Sequence, residues 1–181
     1  MPITIPNVLT ILRILLVPVL VVVFYLPFQN HLLVAAIIFG LAAVTDWFDG
    51  YLARRLGQMT ALGAFLDPVA DKLMVAIALV LLVERHDTLL FTLPACVIIG
   101  REIVVSALRE WMAELGARTS VAVSFIGKVK TGFQMVAITA LLAIDPATDK
   151  DWLVGICYLV LYAAAVLTLW SMAVYFKAAW L

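Results

Sequence analysis

The chain has 181 residues, of which 66% are hydrophobic and 13% charged, with a mean hydropathy of +1.14 and a formal net charge of zero. Those values exclude an ordinary soluble domain, and the absence of net positive charge removes the electrostatic basis for binding nucleic acid. What remains is an integral membrane protein whose residues 1–181 form a single bundle.

Runs of about twenty apolar residues cross a hydrocarbon core of roughly 30 Å. Six such runs are predicted, at about 7–26, 32–54, 63–84, 88–110, 121–144 and 152–177, so the expected fold is all-α and polytopic with six transmembrane helices. The first run, Val8 to Leu26, is too long for a signal-peptide core, contains Arg13 and lacks a small-residue cleavage motif, which reads as a retained helix. Near its start Asn7, Thr10 and Arg13 recur every third residue and share one stripe, although Asn7 would also serve as an N-cap. Pro2 and Pro6 predict an irregular or interfacial N-terminal segment, Pro18 and Pro94 predict kinks, and Pro27 and Pro146 fall at expected helix ends. Pro68 fits the first turn of the third helix and would put Asp67 at that helix entrance.

Loop charge orients the bundle. Arg54, Arg55, Arg109, Arg118 and Lys177 fall on one side, whereas the 27–31 turn is uncharged and the 145–151 turn is acidic. The positive-inside rule then places both termini at the cytoplasmic face. Arg13, Lys72, Arg101, Glu102, Arg109, Lys128 and Lys130 all fall in that half, where each charge inside the membrane costs about 2.5–3.5 kcal/mol. Convergence at one depth suggests a shared site, while Arg101 with Glu102, or Lys72 with a neighbouring aspartate, would also serve as structural pairs. Trp47, Trp111, Trp152 and Trp180 lie near helix ends as interfacial anchors, and His31 and His86 fall in the outer turns. Cys96 and Cys157 stand alone in apolar runs, without CxxC or nearby histidine, and read as buried packing residues. Ala42-Ala43 and Ala163 to Ala165 permit close helix contact or a dimer seam.

The stretch from Asp46 to Lys72 sets four carboxylates in this hydrocarbon-rich chain. Asp46 and Asp49 are three apart at the end of the second run, and Asp67 and Asp71 are four apart in the third, so each pair shares a helix face. A short connection near 55–62 would bring the two pairs together. Four close carboxylates in a partly desolvated place require raised pKa values or bound cations. Oxygen-only ligands favour Mg2+ or Mn2+, and Mg2+ typically acts with substrate phosphates, which points to a phosphorylated substrate. Gly50, Ala53 and Gly63 leave room for a large group to approach the backbone, and Arg54 adds a guanidinium beside it.

The pattern D-x-x-D-G-x-x-A-R, eight residues, G-x-x-x-D-x-x-x-D resembles the signature of the CDP-alcohol phosphotransferases, with Asp46, Asp49, Gly50, Ala53, Arg54, Gly63, Asp67 and Asp71 filling every fixed position. The resemblance implies a phosphotransferase-type helical bundle with two Mg2+ or Mn2+ ions on Asp46, Asp49 and Asp67. Asp71 would share an ion or act as the base for the attacking hydroxyl; spacing does not separate these roles. It also implies CDP-diacylglycerol binding by Asn7, Thr10, Gly50, Ala53, Arg54, Thr60 and Gly63. Residues 101–116 and 125–131 are similar to the branch of the family that uses glycerol 3-phosphate, and Arg109, Lys128 and Lys130 form a basic set suited to a phosphate monoester. The implied reaction transfers the phosphatidyl group from CDP-diacylglycerol to glycerol 3-phosphate at the cytoplasmic face of a bacterial inner membrane, with homodimers common in the family. Two other readings are a family member using inositol phosphate or another alcohol, and a divalent-cation transporter. The latter would place its carboxylates nearer the midplane, within repeated halves.

Overall fold

A computed structural model describes residues 4–56, 60–114, 125–145 and 151–180 as a bundle of six helices. They are α1 (Ile5–Tyr25), α2 (His31–Leu56), α3 (Ala61–His86), α4 (Leu89–Glu114), α5 (Phe125–Ala143) and α6 (Asp151–Trp180), with no strand among the described residues. α1 packs against α2 and α3, α5 joins α2 to α6, and α4 lies on α6 and α3.

At 1.5 Å per residue, the 26 residues of α2, α3 or α4 extend about 39 Å, beyond a hydrocarbon core of roughly 30 Å. Among the described residues, spans long and apolar enough to cross a membrane occupy Asn7–Tyr25 of α1, Leu89–Met112 of α4 and Trp152–Ala173 of α6, the first with Arg13 inside it and the second with Arg101, Glu102, Arg109 and Glu110. α2 and α5 carry shorter apolar stretches, His31–Asp46 and Thr131–Ala143. The charges that interrupt α2 and α3 belong to the predicted site: Asp46 closes the apolar stretch of α2, and Asp67, Asp71 and Lys72 lie in the first half of α3.

Inside and outside are both apolar, because the outward stripe of a membrane helix meets lipid instead of water. On α2 the buried stripe is Leu32, Ala35, Ala36, Phe39 and Ala42, while Leu33, Ile37, Leu41 and Val44 face outward. Three of the five inner residues are alanines, which let neighbouring helices come close, where dispersion contacts accumulate. Phe39, Leu79, Leu82, Phe91, Ile98, Leu141 and Leu161 fill the centre.

The end of the bundle away from the carboxylates is closed by protein contacts. Tyr25 of α1 hydrogen-bonds Glu84 of α3, and Arg85 Nη2 donates to Asp145 Oδ1 just after α5 at 2.9 Å. Tyr158 of α6 bonds His86 Nδ1 at 2.9 Å, and the His86 ring stacks on Phe91 of α4 at 5.0 Å between centroids. α3 stops there because Asp87 adopts left-handed backbone, φ 40°, and returns its amide to the Val83 carbonyl at 3.0 Å.

Several expectations shift. Pro68 lies inside α3 and not in its first turn, since Thr60 caps the helix by accepting the Gly63 amide at 3.0 Å and so starts it well before the proline. Asp67 is therefore about two turns into α3. Asn7 is not an N-cap; Thr4 occupies that position, and Pro6 sits in the first turn of α1. Cys157 is buried, but Cys96 is exposed on the outer face, where a thiol meets lipid. Ala42, Ala164 and Ala165 are interior packing residues. Residues 121–124, Pro2 and Pro146, like the Trp47 and Trp180 side chains, lie outside the described residues.

Candidate active site

One end of the bundle gathers the starts of α1, α3 and α5 and the ends of α2, α4 and α6. The stripe at the start of α1 organises the centre of this end. Asn7, Thr10 and Arg13 are buried to 2%, 0% and 2% relative exposure, although all three are polar. Such groups are stable in an apolar interior only with partners. Arg13 Nη1 pairs with Asp46 Oδ1 on α2, and Thr10 Oγ1 donates to Asp67 Oδ1 on α3 at 2.6 Å. Asn7 Oδ1 accepts from Thr60 Oγ1 at 2.8 Å. Each residue of the stripe thus engages a different part of the predicted site.

Gly63 has a role the sequence reading did not assign. A Cβ built there would lie 2.7 Å from Asn7 Oδ1 and 3.2 Å from Thr60 Oγ1. The space left by the missing side chain is filled by Asn7, so Gly63 allows α1 to approach α3 and does not leave room for an outside group.

Asp46 and Asp71 share one end of a groove between α2 and α5 with a volume of about 1010 Å³. Its walls are apolar along most of their length, with Leu33, Ile37 and Val44 from α2 facing Met135, Val136 and Ala143 from α5. Gly40 and Thr139 form the floor where the helices come closest; a Cβ on Gly40 would meet Thr139 Cγ2 at 3.6 Å. From Leu33 to Asp46 the groove follows thirteen residues of α2, about 20 Å, more than the roughly 15 Å hydrocarbon depth of one leaflet. Behind the carboxylates, Arg13, Phe39, Met74 and Met135 close the interior.

Asp46 is 42% exposed, so the pair with buried Arg13 leaves it accessible from the groove. Arg13, Asp46, Lys72 and Glu102 all act electrostatically on Asp71. Among the described residues Lys72 forms no ion pair with an aspartate; it hydrogen-bonds Ser106 on α4, whose hydroxyl donates to the Glu102 carbonyl at 2.5 Å. Arg101 pairs with Glu102, as the structural reading of those two expected, and its Nη2 donates to Ser171 of α6 at 3.3 Å. Ser106 and Ser171 carried no sequence signal, since a serine in an apolar run gains a polar partner only through packing.

Of the remaining predicted residues, Asp49, Gly50, Ala53 and Arg54 continue α2 beyond Asp46, Arg109 lies late in α4, and Lys128 and Lys130 lie early in α5. Their backbones belong to this end of the bundle, and their side chains lie outside the described residues. Among the described residues, no three potential metal ligands converge on one point. Asp46, Asp67 and Asp71 nevertheless offer carboxylate oxygens only, a type of donor that suits a hard divalent cation completed by substrate phosphate oxygens. An apolar trough ending on carboxylates is shaped for an amphiphile, with hydrocarbon along the groove and a phosphate-bearing head at its end.

Residues 3–174 match the family model described as CDP-alcohol phosphatidyltransferase. Over 179 residues, 99% of this chain and 96% of the relative, the sequence is 57% identical to a CDP-diacylglycerol–glycerol-3-phosphate 3-phosphatidyltransferase of Salmonella choleraesuis (strain SC-B67). Proteins of the same description from Pseudomonas fluorescens, 57% identical over 97% of this chain and 90% of the relative, and from Sodalis glossinidius (strain morsitans), 57% identical over 99% and 96%, are similarly close.

Proposed function

Because this chain belongs to the CDP-alcohol phosphatidyltransferase family, we propose that its groove and carboxylate end transfer the phosphatidyl group of CDP-diacylglycerol to glycerol 3-phosphate. The observation that carries the site assignment is the continuity of an apolar groove with Asp46 and Asp71. Diacylglycerol chains lie along α2 and α5, still in contact with lipid, and the pyrophosphate reaches the aspartates. The acceptor follows the descriptions of the relatives, which specify glycerol 3-phosphate and not an inositol phosphate.

The hydroxyl oxygen of glycerol 3-phosphate attacks the phosphorus that carries diacylglycerol. A new P–O bond forms, the P–O bond to CMP breaks, and CMP leaves with the bridging oxygen. Asp71, at the end of the groove, is placed to accept the hydroxyl proton. Asp46, Asp49 and Asp67, with Asp71 able to share, would hold two Mg2+ or Mn2+ ions, which when bound neutralise the pyrophosphate and the charge developing on CMP. Asn7 Nδ2 is buried and has no hydrogen-bond partner among the described residues, which leaves it as a donor for the nucleotide at this end of the bundle. Gly50, Ala53 and Arg54, later on α2, take part in holding CDP-diacylglycerol, and Arg109 of α4 with Lys128 and Lys130 of α5 receives the acceptor phosphate. The site end faces the cytoplasm of a bacterial inner membrane, where both water-soluble participants are found. A homodimer of the kind the resemblance implies would have to use faces other than Ala42, Ala164 and Ala165, which are interior.

The test is turnover by purified protein supplied with CDP-diacylglycerol and, separately, glycerol 3-phosphate, inositol phosphate and glycerol. Phosphatidylglycerophosphate and CMP should form in equal amounts only with the first. Preference for another acceptor, or lipid product without CMP, would overturn the assignment.

A further inference from the structure

We infer that Thr10 and Arg13 are positioning residues, which hold the carboxylates of Asp67 and Asp46 from the protein side so that their outward oxygens meet a divalent cation. This rests on the proposed metal-dependent reading of the same site. The resemblance implied that Asn7 and Thr10 bind CDP-diacylglycerol, but the Thr10 hydroxyl is directed to Asp67, as Arg13 is to Asp46. Thr10 is fully buried, and its hydroxyl donates to Asp67 Oδ1 at 2.6 Å. Arg13, 2% exposed, approaches Asp46 from inside the bundle, while Asp46 itself remains 42% exposed toward the groove. The two aspartates come from α2 and α3, so α1 is the element that relates them in space. A carboxylate whose one oxygen is held by a donor keeps its orientation while the other oxygen stays available. A guanidinium at Asp46 also offsets part of the repulsion among the clustered carboxylates before a cation binds.

Thr10→Val keeps the shape and removes the donor, whereas Thr10→Ser keeps the donor. Removing an outer partner of a metal ligand typically lowers metal affinity about 10–100-fold. Binding of Mn2+ to purified protein, read as loss of the free-ion electron paramagnetic resonance signal, should therefore weaken by that factor in Thr10→Val and stay within about threefold of the parent in Thr10→Ser. The apparent KM for CDP-diacylglycerol at saturating Mn2+ should change little in either. Arg13→Lys retains charge without the rigid fork and should weaken Mn2+ binding less than Arg13→Gln; this pair carries the test if Thr10→Val does not fold. If folded Thr10→Val binds Mn2+ like the parent, or loses affinity only for CDP-diacylglycerol, the positioning role is overturned and the stripe belongs to the nucleotide. A parent protein with no saturable Mn2+ binding, or one whose binding is unaffected by Asp67→Asn, would instead remove the metal reading on which the inference stands.

Discussion

Replacing Gly63 by alanine would insert a methyl group at the tightest contact between α1 and α3, 2.7 Å from Asn7 Oδ1 and 3.2 Å from Thr60 Oγ1. The second distance can relax with a small shift of a hydroxyl, but the first requires Asn7 to move. Moving Asn7 breaks its 2.8 Å bond from Thr60 and leaves a buried carbonyl oxygen without a donor. The overlap costs about 1–3 kcal/mol and the orphaned acceptor about 1–3 kcal/mol, offset by the roughly 0.5–1 kcal/mol that alanine gains over glycine in a helix. A net loss of about 1–5 kcal/mol lowers Tm by roughly 2–20 °C for a chain of this size. The assay is thermal unfolding in detergent followed by tryptophan fluorescence, in the parent and in an Asn7→Ala background. With Asn7 truncated, neither the clash nor the orphan exists, so the same glycine substitution should become nearly neutral, a coupling of about 1–5 kcal/mol. An equal cost in both backgrounds would refute the assignment of Gly63 to close helix approach.

Asp46→Asn and Asp67→Asn should abolish turnover, as should excess chelator, with Mg2+ or Mn2+ restoring the parent; substantial activity in either variant would remove the two-ion proposal. Asp71→Asn should retain CDP-diacylglycerol binding in equilibrium dialysis while losing the chemical step, and lost binding would make it primarily a ligand. With Arg109, Lys128 and Lys130 receiving the acceptor phosphate as proposed, Arg109→Ala, Lys128→Ala and Lys130→Ala would each remove a charge-assisted contact of about 1.5–3 kcal/mol, so glycerol 3-phosphate should be used roughly ten- to a hundredfold less well in steady-state kinetics. Parental affinity in all three would dismiss them as the acceptor site. For topology, Gly57→Cys should label from the cytoplasmic side and Asp149→Cys from the other with an impermeant thiol reagent; the reverse pattern inverts the bundle.

Much of this protein was legible before any coordinates. Span length follows from backbone rise and bilayer thickness, so six helices could be placed to within a few residues from hydropathy alone. The aspartates also marked where polar contacts gather, because they cost too much in an apolar helix to be there without a partner, and Asp46 and Asp67 find theirs on α1. Local rules failed where a long-range contact decided the outcome. Thr60, anchored on Asn7 from a different helix, starts α3 ahead of Pro68. Gly63 reads as an opening in one dimension and is a filled contact in three. Hydropathy distinguishes membrane from water but not the inside of a bundle from lipid, so neither the groove between α2 and α5 nor the outward position of Cys96 could be inferred. Sequence determined which polar groups enter the membrane and on which helices. Only packing decided which of them hold one another and which are left facing the groove, because a buried hydroxyl or guanidinium must find its partner on whichever neighbouring helix the apolar contacts bring within reach.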